Sequence, residues 1–312
     1  MRFLIEAKDD GKLLRAFLRE QGVSSALSAR LKRMDDGMLQ NGERVTVRAV
    51  LHAGDIVELA IEERGEEGSV VPRELPVSVI LETEDLLVVN KGRNMPTHPS
   101  HGHFEDTLAN GLAFHYAADG VSFRPRFVNR LDRNTTGLVL VARHALSAAT
   151  LGAAMAGGEI QKTYLALVHG RVDAPAVIES GIRRREASVI FRETCPVGEG
   201  DYAKTAVEPL AWSDAFSLVR LVPHTGRTHQ LRVHMASVGH PLLGDELYGG
   251  ACTDMDRHAL HAAVLRFPMP RTGERITVRA PLPDDMEMLI EQLGEEAMRL
   301  AKEECGQTGK EL

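Results

Sequence analysis

Cysteine is scarce in this chain: three residues in 312, Cys195, Cys252 and Cys305, with no Cys-x-x-Cys pair. Neither a disulfide framework nor a zinc site of the usual spacing is expected. No apolar run approaches the ~18 residues of a membrane-crossing helix. The start, MRFLIEAKDDGK, has no apolar signal-peptide core, and a cytoplasmic protein without a membrane partner is expected. No GxGxxG follows a strand and no GxxxxGK[ST] loop occurs, so a nucleotide cofactor has no support. A GxSxG elbow is also lacking, as is a cysteine beside a plausible base, which argues against acyl transfer. His98, His101 and His103 lie close together, as do His258 and His261, but neither group has the two-sided ligand spacing of a metal site. No metal and no cofactor are expected.

What is present suits a folded enzyme-sized chain, with 43% hydrophobic residues and 26% charged ones. The net charge of -7 argues against a polyanionic partner until its distribution is read. Residues 1–61 carry a net of +1 and residues 77–282 also +1, whereas 62–76 carry -3 and 283–312 carry -6. The acidic excess therefore lies between and after the two main blocks, and a local positive face remains open to either block.

The first block reads as two helices and a few strands. Leu14, Phe17 and Leu18 recur at helical spacing, and a second helix starts near Ser24 or Ser25, with Leu27, Leu31 and Met34 on its apolar stripe. Asn41-Gly42 marks a tight turn, Val45 and Val47 alternate as in a strand, and Ala53-Gly54-Asp55 turns into the strand IVELAI. Four segments are expected: a domain over 1–65, an acidic linker over 66–76, a larger domain over 77–284, and a C-terminal helix with a frayed tail over 285–312. In the larger domain VSVILET, LLVVN, LVLVAR, YLALVHG, SLVRLV, HAAVLRF and ERITVRA read as strands, and TLANGLAFHYAA and ALSAATLGAAMAGG as helices. Met286, Leu289, Ile290 and Leu293 share one face of a final helix.

Two polar clusters could carry chemistry. In VNRLDRNTTGLVLVAR, residues 128–143, Asp132 stands between Arg130 and Arg133 just before Thr135, Thr136 and Gly137. Nearby positive charge keeps a carboxylate ionised as a nucleophile or base. A turn-capping aspartate with an arginine partner would look the same. The second cluster, HTGRTHQLRVHM, gathers His224, Arg227, His229, Gln230, Arg232 and His234. It suits phosphate or base recognition, or equally a solvated strand end and helix start.

These segments closely resemble the RluA-type family of RNA pseudouridine synthases. Asn129-Arg130-Leu131-Asp132 followed by Thr135-Thr136-Gly137 matches the motif around that family's catalytic aspartate. QKTYLALVHG places Tyr164 on its active-site tyrosine, with Lys162 at the neighbouring basic position. TGRTHQLRVHM places Arg227 on the arginine that pairs with the aspartate. GHPLLGDELYGG and the ALHA of 259–262 also fit, and the resemblance spans roughly 78–290. Four positions depart from the pattern: Asn129 for His, Thr136 for Ser, Gly92 where Pro is common, and Met269 where His is common. The first block resembles the small alpha-L RNA-binding module named after a ribosomal protein.

The resemblance implies an α+β fold with a central mixed, mostly antiparallel sheet flanked by helices, acting on uridine in structured RNA without cofactor or metal. Ribosomal RNA is the first expectation, because such a module often accompanies enzymes of that kind; transfer RNA is the alternative. Asp132 would attack C1' or take a proton from C2', with Arg227 keeping it ionised and Tyr164 stacking on the base. Arg130, Lys162, Lys204, His229, Gln230 and Arg232 would contact the substrate, and Arg30, Lys32, Arg33 and Asn41 would serve the RNA-binding module. A monomer is expected. Two rivals are an RNA-binding assembly protein without catalysis and a glycosidase, which would need a second carboxylate such as Asp245 or Glu246.

Overall fold

The computed structural model describes residues 1–61, 70–117, 123–186, 188, 190–251, 254–306 and 309–310. Cys252 and residues 66–69 of the expected acidic linker lie outside the described residues.

Residues 1–61 contain strands β1 (Arg2–Leu4), β2 (Met38–Gln40), β3 (Glu43–Arg44) and β4 (Ile56–Leu59), antiparallel in the order β1-β4-β2-β3. Two helices, α1 (Leu14–Glu20) and α2 (Ser25–Arg33), bury Leu14, Phe17, Leu18, Leu27 and Leu31 against Met38, Val57 and Leu59. Ser24 begins α2 by accepting a hydrogen bond from Leu27 N at 3.2 Å, a cap that contributes about 1 kcal/mol. Helix α1 has no capping side chain. Its Leu14 and Arg15 amides donate instead to the carbonyls of Ala49 and Val47, at 2.8 and 2.9 Å. That arrangement corrects the strand expected at Val45 and Val47: β3 ends at Arg44, because the following backbone is drawn to the free amides of α1. Asn41 (φ 54°) and Gly42 (φ 84°) are both left-handed and close the hairpin from β2 to β3, as their two-residue signature requires.

The larger block opens with β5 (Ser78–Glu82), β6 (Leu86–Lys91), helix α3 (Leu108–Ala117), β7 (Arg126–Phe127), β8 (Thr136–Ala142) and helix α4 (Ala145–Ala156). Next come β9 (Gln161–His169), β10 (Ala176–Arg184), β11 (Arg192–Cys195), β12 (Asp201–Trp212), β13 (Phe216–Pro223) and helix α5 (Gln230–Ser237). The chain closes with β14 (Leu260–Pro268), β15 (Arg275–Arg279), helices α6 (Asp284–Glu291) and α7 (Glu295–Glu304), and β16 (Gly309–Lys310). One sheet holds all these strands in the order β11-β10-β12-β13-β9-β14-β8-β6-β5, with β7 beside β8, β15 beside β14 and β16 on β15. Every described pairing is antiparallel except that of β14 with β8, which is parallel over His261↔Thr136 and Ala262↔Gly137. The fold is α+β, as expected.

Alternate residues of each strand feed opposite faces. Leu87, Val89, Val139, Val141, Ala166, Val168, Val219 and Leu221 share a core with Leu108 and Leu112 of α3 and with Leu231 and Met235 of α5. On the other face Leu86, Val88, Leu138 and Leu140 meet Leu151 and Ala154 of α4, while Leu165, Leu167 and Leu218 meet α6 and α7. Strands β6 and β8, covered on both sides, therefore read as continuous apolar runs. Leu146 of α4 extends the core of the first block, so the two blocks touch through an apolar contact. Arg73 N donates to the carbonyl of Asn110, whose Nδ2 donates to the carbonyl of Val71. The described end of the linker thus lies along α3. Where one C-terminal helix is expected in 285–312, with Met286, Leu289, Ile290 and Leu293 on one face, there are two, separated at Gly294 (φ 97°), and the second buries Ala297 and Ala301.

Candidate active site

The chain from Val128 to Thr135 leaves one part of the sheet and re-enters it as β8, at the parallel seam. Asn129 fixes its start: Nδ2 donates to the carbonyl of Leu138 and Oδ1 accepts from Leu140 N at 2.7 Å. The amide thus occupies both polar roles of a missing strand neighbour. Thr97 Oγ1 accepts from Leu131 N and donates to its carbonyl. Lys91 Nζ donates to the carbonyls of Gly92 and Arg133, at 2.8 and 3.0 Å. From the far side, His258 Nε2 meets Thr135 Oγ1 at 2.7 Å, His261 Nδ1 meets Thr136 Oγ1 at 2.9 Å, and Arg257 donates to the carbonyl of Asn134. Arg257 is itself clamped at two points by Asp285 of α6. Gly137, at φ 108°, has to be glycine, since a Cβ there would stand 2.3 Å from the carbonyl oxygen of Ala262.

Asp132 sits in this pinned loop with its side chain 28% exposed. Arg232 Nη1 donates to its Oδ2 at 3.2 Å, and His229 Nε2 lies 3.8 Å from the same oxygen. No described residue donates to Oδ1. Burial opposes ionisation of Asp132, but His229, Arg232 and His258 outweigh it and hold the carboxyl below its ordinary range. Arg232 is the permanent charge among these. Its Nε and Nη2 donate to the two oxygens of Asp245, both at 2.7 Å, leaving Nη1 for Asp132. Its guanidinium carbon lies over the Tyr248 ring, 5.0 Å from the centroid. Such a two-point grip fixes both the plane and the reach of an arginine.

This geometry corrects two sequence expectations. Arg227 does not pair with Asp132; it is exposed, and its Nε donates to the carbonyl of Tyr202. The pairing falls to Arg232, in the first turn of the buried helix α5. Gln230 is buried and its amide is spent within the fold, on Thr225 Oγ1, Arg227 N, the Lys204 carbonyl and Thr205 Oγ1. It supports the turn before α5 and has no group left for a substrate. Of the two carboxylates considered for a glycosidase, Asp245 is committed to Arg232 and Glu246 is exposed.

Tyr164 on β9 is buried in the core that also holds Leu131 and Leu260, and its hydroxyl has no hydrogen-bond partner among the described residues. Burial and then Asp132 raise its pKa, so it stays a neutral phenol. Lys162, on the same strand, is half-buried with no counter-ion among the described residues, and burial lowers its pKa. Its Nζ lies beside Gly226, where a Cβ would stand 3.6 Å away in ordinary contact. Arg130 is exposed. Lys204 is paired with Glu179 at 2.6 Å. In the first block Lys32 and Arg33 are exposed at the end of α2, Arg30 reaches the carbonyl of Ile61, and Asn41 is engaged with Asp55 and Ile56 N.

Three residues of the site were not singled out as site residues from sequence. Lys91 is 1% exposed, and burial lowers its pKa to about 7 against the opposing effect of Asp132. His258 is neutral, its pKa lowered to about 4 chiefly by burial. Tyr248 links His229 to Arg192 N, at 2.9 and 3.0 Å. Its sequence signal was its place between Gly244, at φ 72°, and Gly249, at φ 86°, in a tract whose chain turns tightly. His229 is itself left-handed (φ 57°) without being glycine, a conformation costing roughly 1 kcal/mol or more that persists where surrounding structure enforces it.

A family model described as RNA pseudouridylate synthase matches residues 85–237, which include Asp132, Tyr164 and Arg232. The Bacillus subtilis protein described as "Uncharacterized RNA pseudouridine synthase YjbO" is 37% identical over 278 residues, covering 89% of this chain and 98% of its own. "Ribosomal large subunit pseudouridine synthase D" of Vibrio cholerae is 35% identical over 273 residues, covering 83% of this chain and 80% of its own. Among solved structures, "Human RNA Pseudouridylate Synthase Domain Containing 1" superposes with a TM-score of 0.57 at 28% identity, over 80% of this chain and 93% of that one.

Proposed function

The chain belongs to the RNA pseudouridylate synthase family, and we propose on that premise that it converts uridine to pseudouridine in large-subunit ribosomal RNA, with Asp132 as the carboxylate that reacts at the sugar. One observation carries the assignment to Asp132. Both of its protein contacts fall on Oδ2, and Oδ1, without a partner among the described residues, is left for a ligand. An ionised carboxylate with one oxygen tethered and one open suits attack on C1', and it equally suits removal of a proton from C2'. In either route the C1'–N1 bond breaks, the uracil turns, and C5 joins C1'; the product is an isomer and no energy source is consumed. Tyr164 fits the role of base platform: apolar surroundings favour the uracil ring, and the neutral phenol can hydrogen-bond it.

The target uridine has to leave its stack to reach this loop, at a cost of a few kcal/mol. Phosphate contacts offset that cost, and Lys162 and Arg130 are the two cations near the loop suited to supply them. Lys32 and Arg33 give residues 1–61 a second phosphate-gripping edge, which supports reading that block as an RNA-binding module. Ribosomal RNA as target is supported by the Vibrio cholerae relative, whose name refers to the ribosomal large subunit. We take the enzyme to act in the cytoplasm as a monomer.

The deciding experiment is site-resolved pseudouridine mapping of total RNA from cells carrying the gene, lacking it, or carrying Asp132→Asn. Loss of the same ribosomal sites in the last two is the expected result. Loss confined to transfer RNA would overturn the ribosomal assignment, and full modification by Asp132→Asn would remove Asp132 from the reaction.

A further inference from the structure

Beside the catalytic loop, β10 and β11 form a hairpin; Arg185 and Phe191 lie in its connection, around residues 187 and 189, which are not described, and Arg192 begins β11. Arg185 stacks on the Phe191 ring at 5.0 Å, and Phe191 meets the Tyr248 ring at 4.9 Å. Arg192 N donates to the Tyr248 hydroxyl at 3.0 Å, and that hydroxyl lies 2.9 Å from His229 Nδ1. On the other edge of the imidazole, Nε2 faces Asp132 Oδ2 at 3.8 Å. A continuous series of contacts thus runs from the hairpin to the carboxylate, through two residues outside the catalytic loop.

Donor and acceptor counting orients this series. The Tyr248 oxygen already accepts the Arg192 amide, and its own proton needs an acceptor. Nδ1 is the acceptor within reach. With Nδ1 accepting, the single proton of a neutral imidazole is on Nε2, directed toward a carboxylate that can only accept. The reverse tautomer would leave the phenol proton without a partner and turn the Nε2 lone pair toward Oδ2. Burial favours the neutral ring, as do Arg232 and Arg192, against Asp132 and Asp245. The left-handed backbone of His229 places the ring between Tyr248 and Asp132 at the mouth of α5.

We propose that Tyr248 and His229 are positioning residues: the Tyr248 hydroxyl, anchored on the β10–β11 hairpin, fixes His229 with its proton on Nε2, and the positive edge of that N–H, 3.8 Å from Oδ2 and so longer than a hydrogen bond, adds its electrostatic pull to the Arg232 hydrogen bond on Oδ2, so that Oδ1 is presented to the sugar. The inference rests on the reading of Asp132 given above. It also connects the hairpin to the reaction, since a ligand that shifts Arg192 shifts the partner of Tyr248.

The test uses full-length protein labelled with ¹⁵N in the histidine rings, together with Tyr248→Phe, which keeps the ring packed against Phe191 and Arg232 and removes only the hydroxyl. In the wild type the His229 nitrogens are expected to report a neutral ring protonated on Nε2. In Tyr248→Phe the signature should shift toward a tautomer mixture, with kcat reduced by about tenfold to a hundredfold, the size of loss that orienting groups produce when removed, and KM for RNA little changed. A wild-type His229 protonated on Nδ1, or on both nitrogens, overturns the proposal, whether or not the variant folds. So does a folded Tyr248→Phe with unaltered kcat. The tautomer readout needs no turnover, so a failure of the relay is told apart from a failure of Asp132, which an active Asp132→Asn would reveal.

Discussion

Arg232 and Arg227 stand five positions apart in one motif, yet they belong to different regions with different physics. The inner wall of the site is densely tied: Arg232 is gripped by Asp245, Thr135 and Thr136 are engaged by histidines, and Lys91 is tied to two carbonyls. The rim is loose: Arg227 touches one carbonyl, and Arg130 and Lys162 have no counter-ion among the described residues. A buried charge has to be paired to be tolerated, and pairing also makes its geometry exact enough to position Asp132. A cation meant for phosphate gains from remaining unpaired in the free protein, because no bond has to break when RNA arrives.

The largest break in this contrast is expected from Arg232→Gln. It strands Asp245 in the interior, and chemical denaturation should show a loss of about 3–5 kcal/mol, together with collapse of turnover in whatever fraction remains folded. Arg227→Gln is the matched control and should stay within about 0.5 kcal/mol of wild type, with near-normal kcat. Equal effects from the two variants would erase the distinction between wall and rim.

Acid sharpens the same contrast. His258 is held at about 4 in the folded protein and returns to about 6.5 when unfolded. The unfolded state therefore binds the extra proton first, and stability present above pH 6.5 is lost as pH falls toward 4, on the order of 3 kcal/mol from this residue. Asp132, depressed in the folded state, contributes with the same sign at lower pH, below its unfolded value near 3.9. Melting curves across pH 4–7 should show a shallower dependence in His258→Gln than in the wild type. An identical dependence would mean that the interior is wetter than its contacts imply.

The smallest effect belongs to the rim. Lys162→Gln should leave kcat and stability in place, raise KM, and reduce the slope of log affinity against log salt by about 1. An unchanged salt slope would take Lys162 off the phosphate path.

Much of this molecule is legible without coordinates. The Asn41-Gly42 hairpin, the Ser24 cap and the apolar runs of β6, β8, β9 and β14 follow from local preferences that the packed structure leaves intact. Asp132 stood out because charged and hydroxyl residues crowd the entrance to an apolar strand. Arg232 could not be told from Arg227 in the same way. Six consecutive residues of α5, from Gln230 to Met235, are buried, so that helix has no polar face to set against an apolar one, and periodicity is silent about which side chain points inward. The role of Gln230 was hidden likewise, because its four partners come from 204–205 and 225–227. The end of β3 was misread because the demand that draws residues 47 and 49 away arises at α1, more than thirty positions earlier.

The parallel seam between β8 and β14 has a consequence for the timing of synthesis. Thr136 meets His261 across 125 positions of chain, and Arg257 reaches Asn134 across 123. Closing so distant a contact is slow compared with forming a local hairpin or helix. While the chain emerges from the ribosome, the loop carrying Asp132 is complete in sequence long before its outer supports exist. A nascent chain ending before residue 257 lacks the arginine and both histidines that brace it. The loop carrying Asp132 is therefore braced on this side only once residues 257–261 have been added, more than a hundred positions after the carboxylate itself.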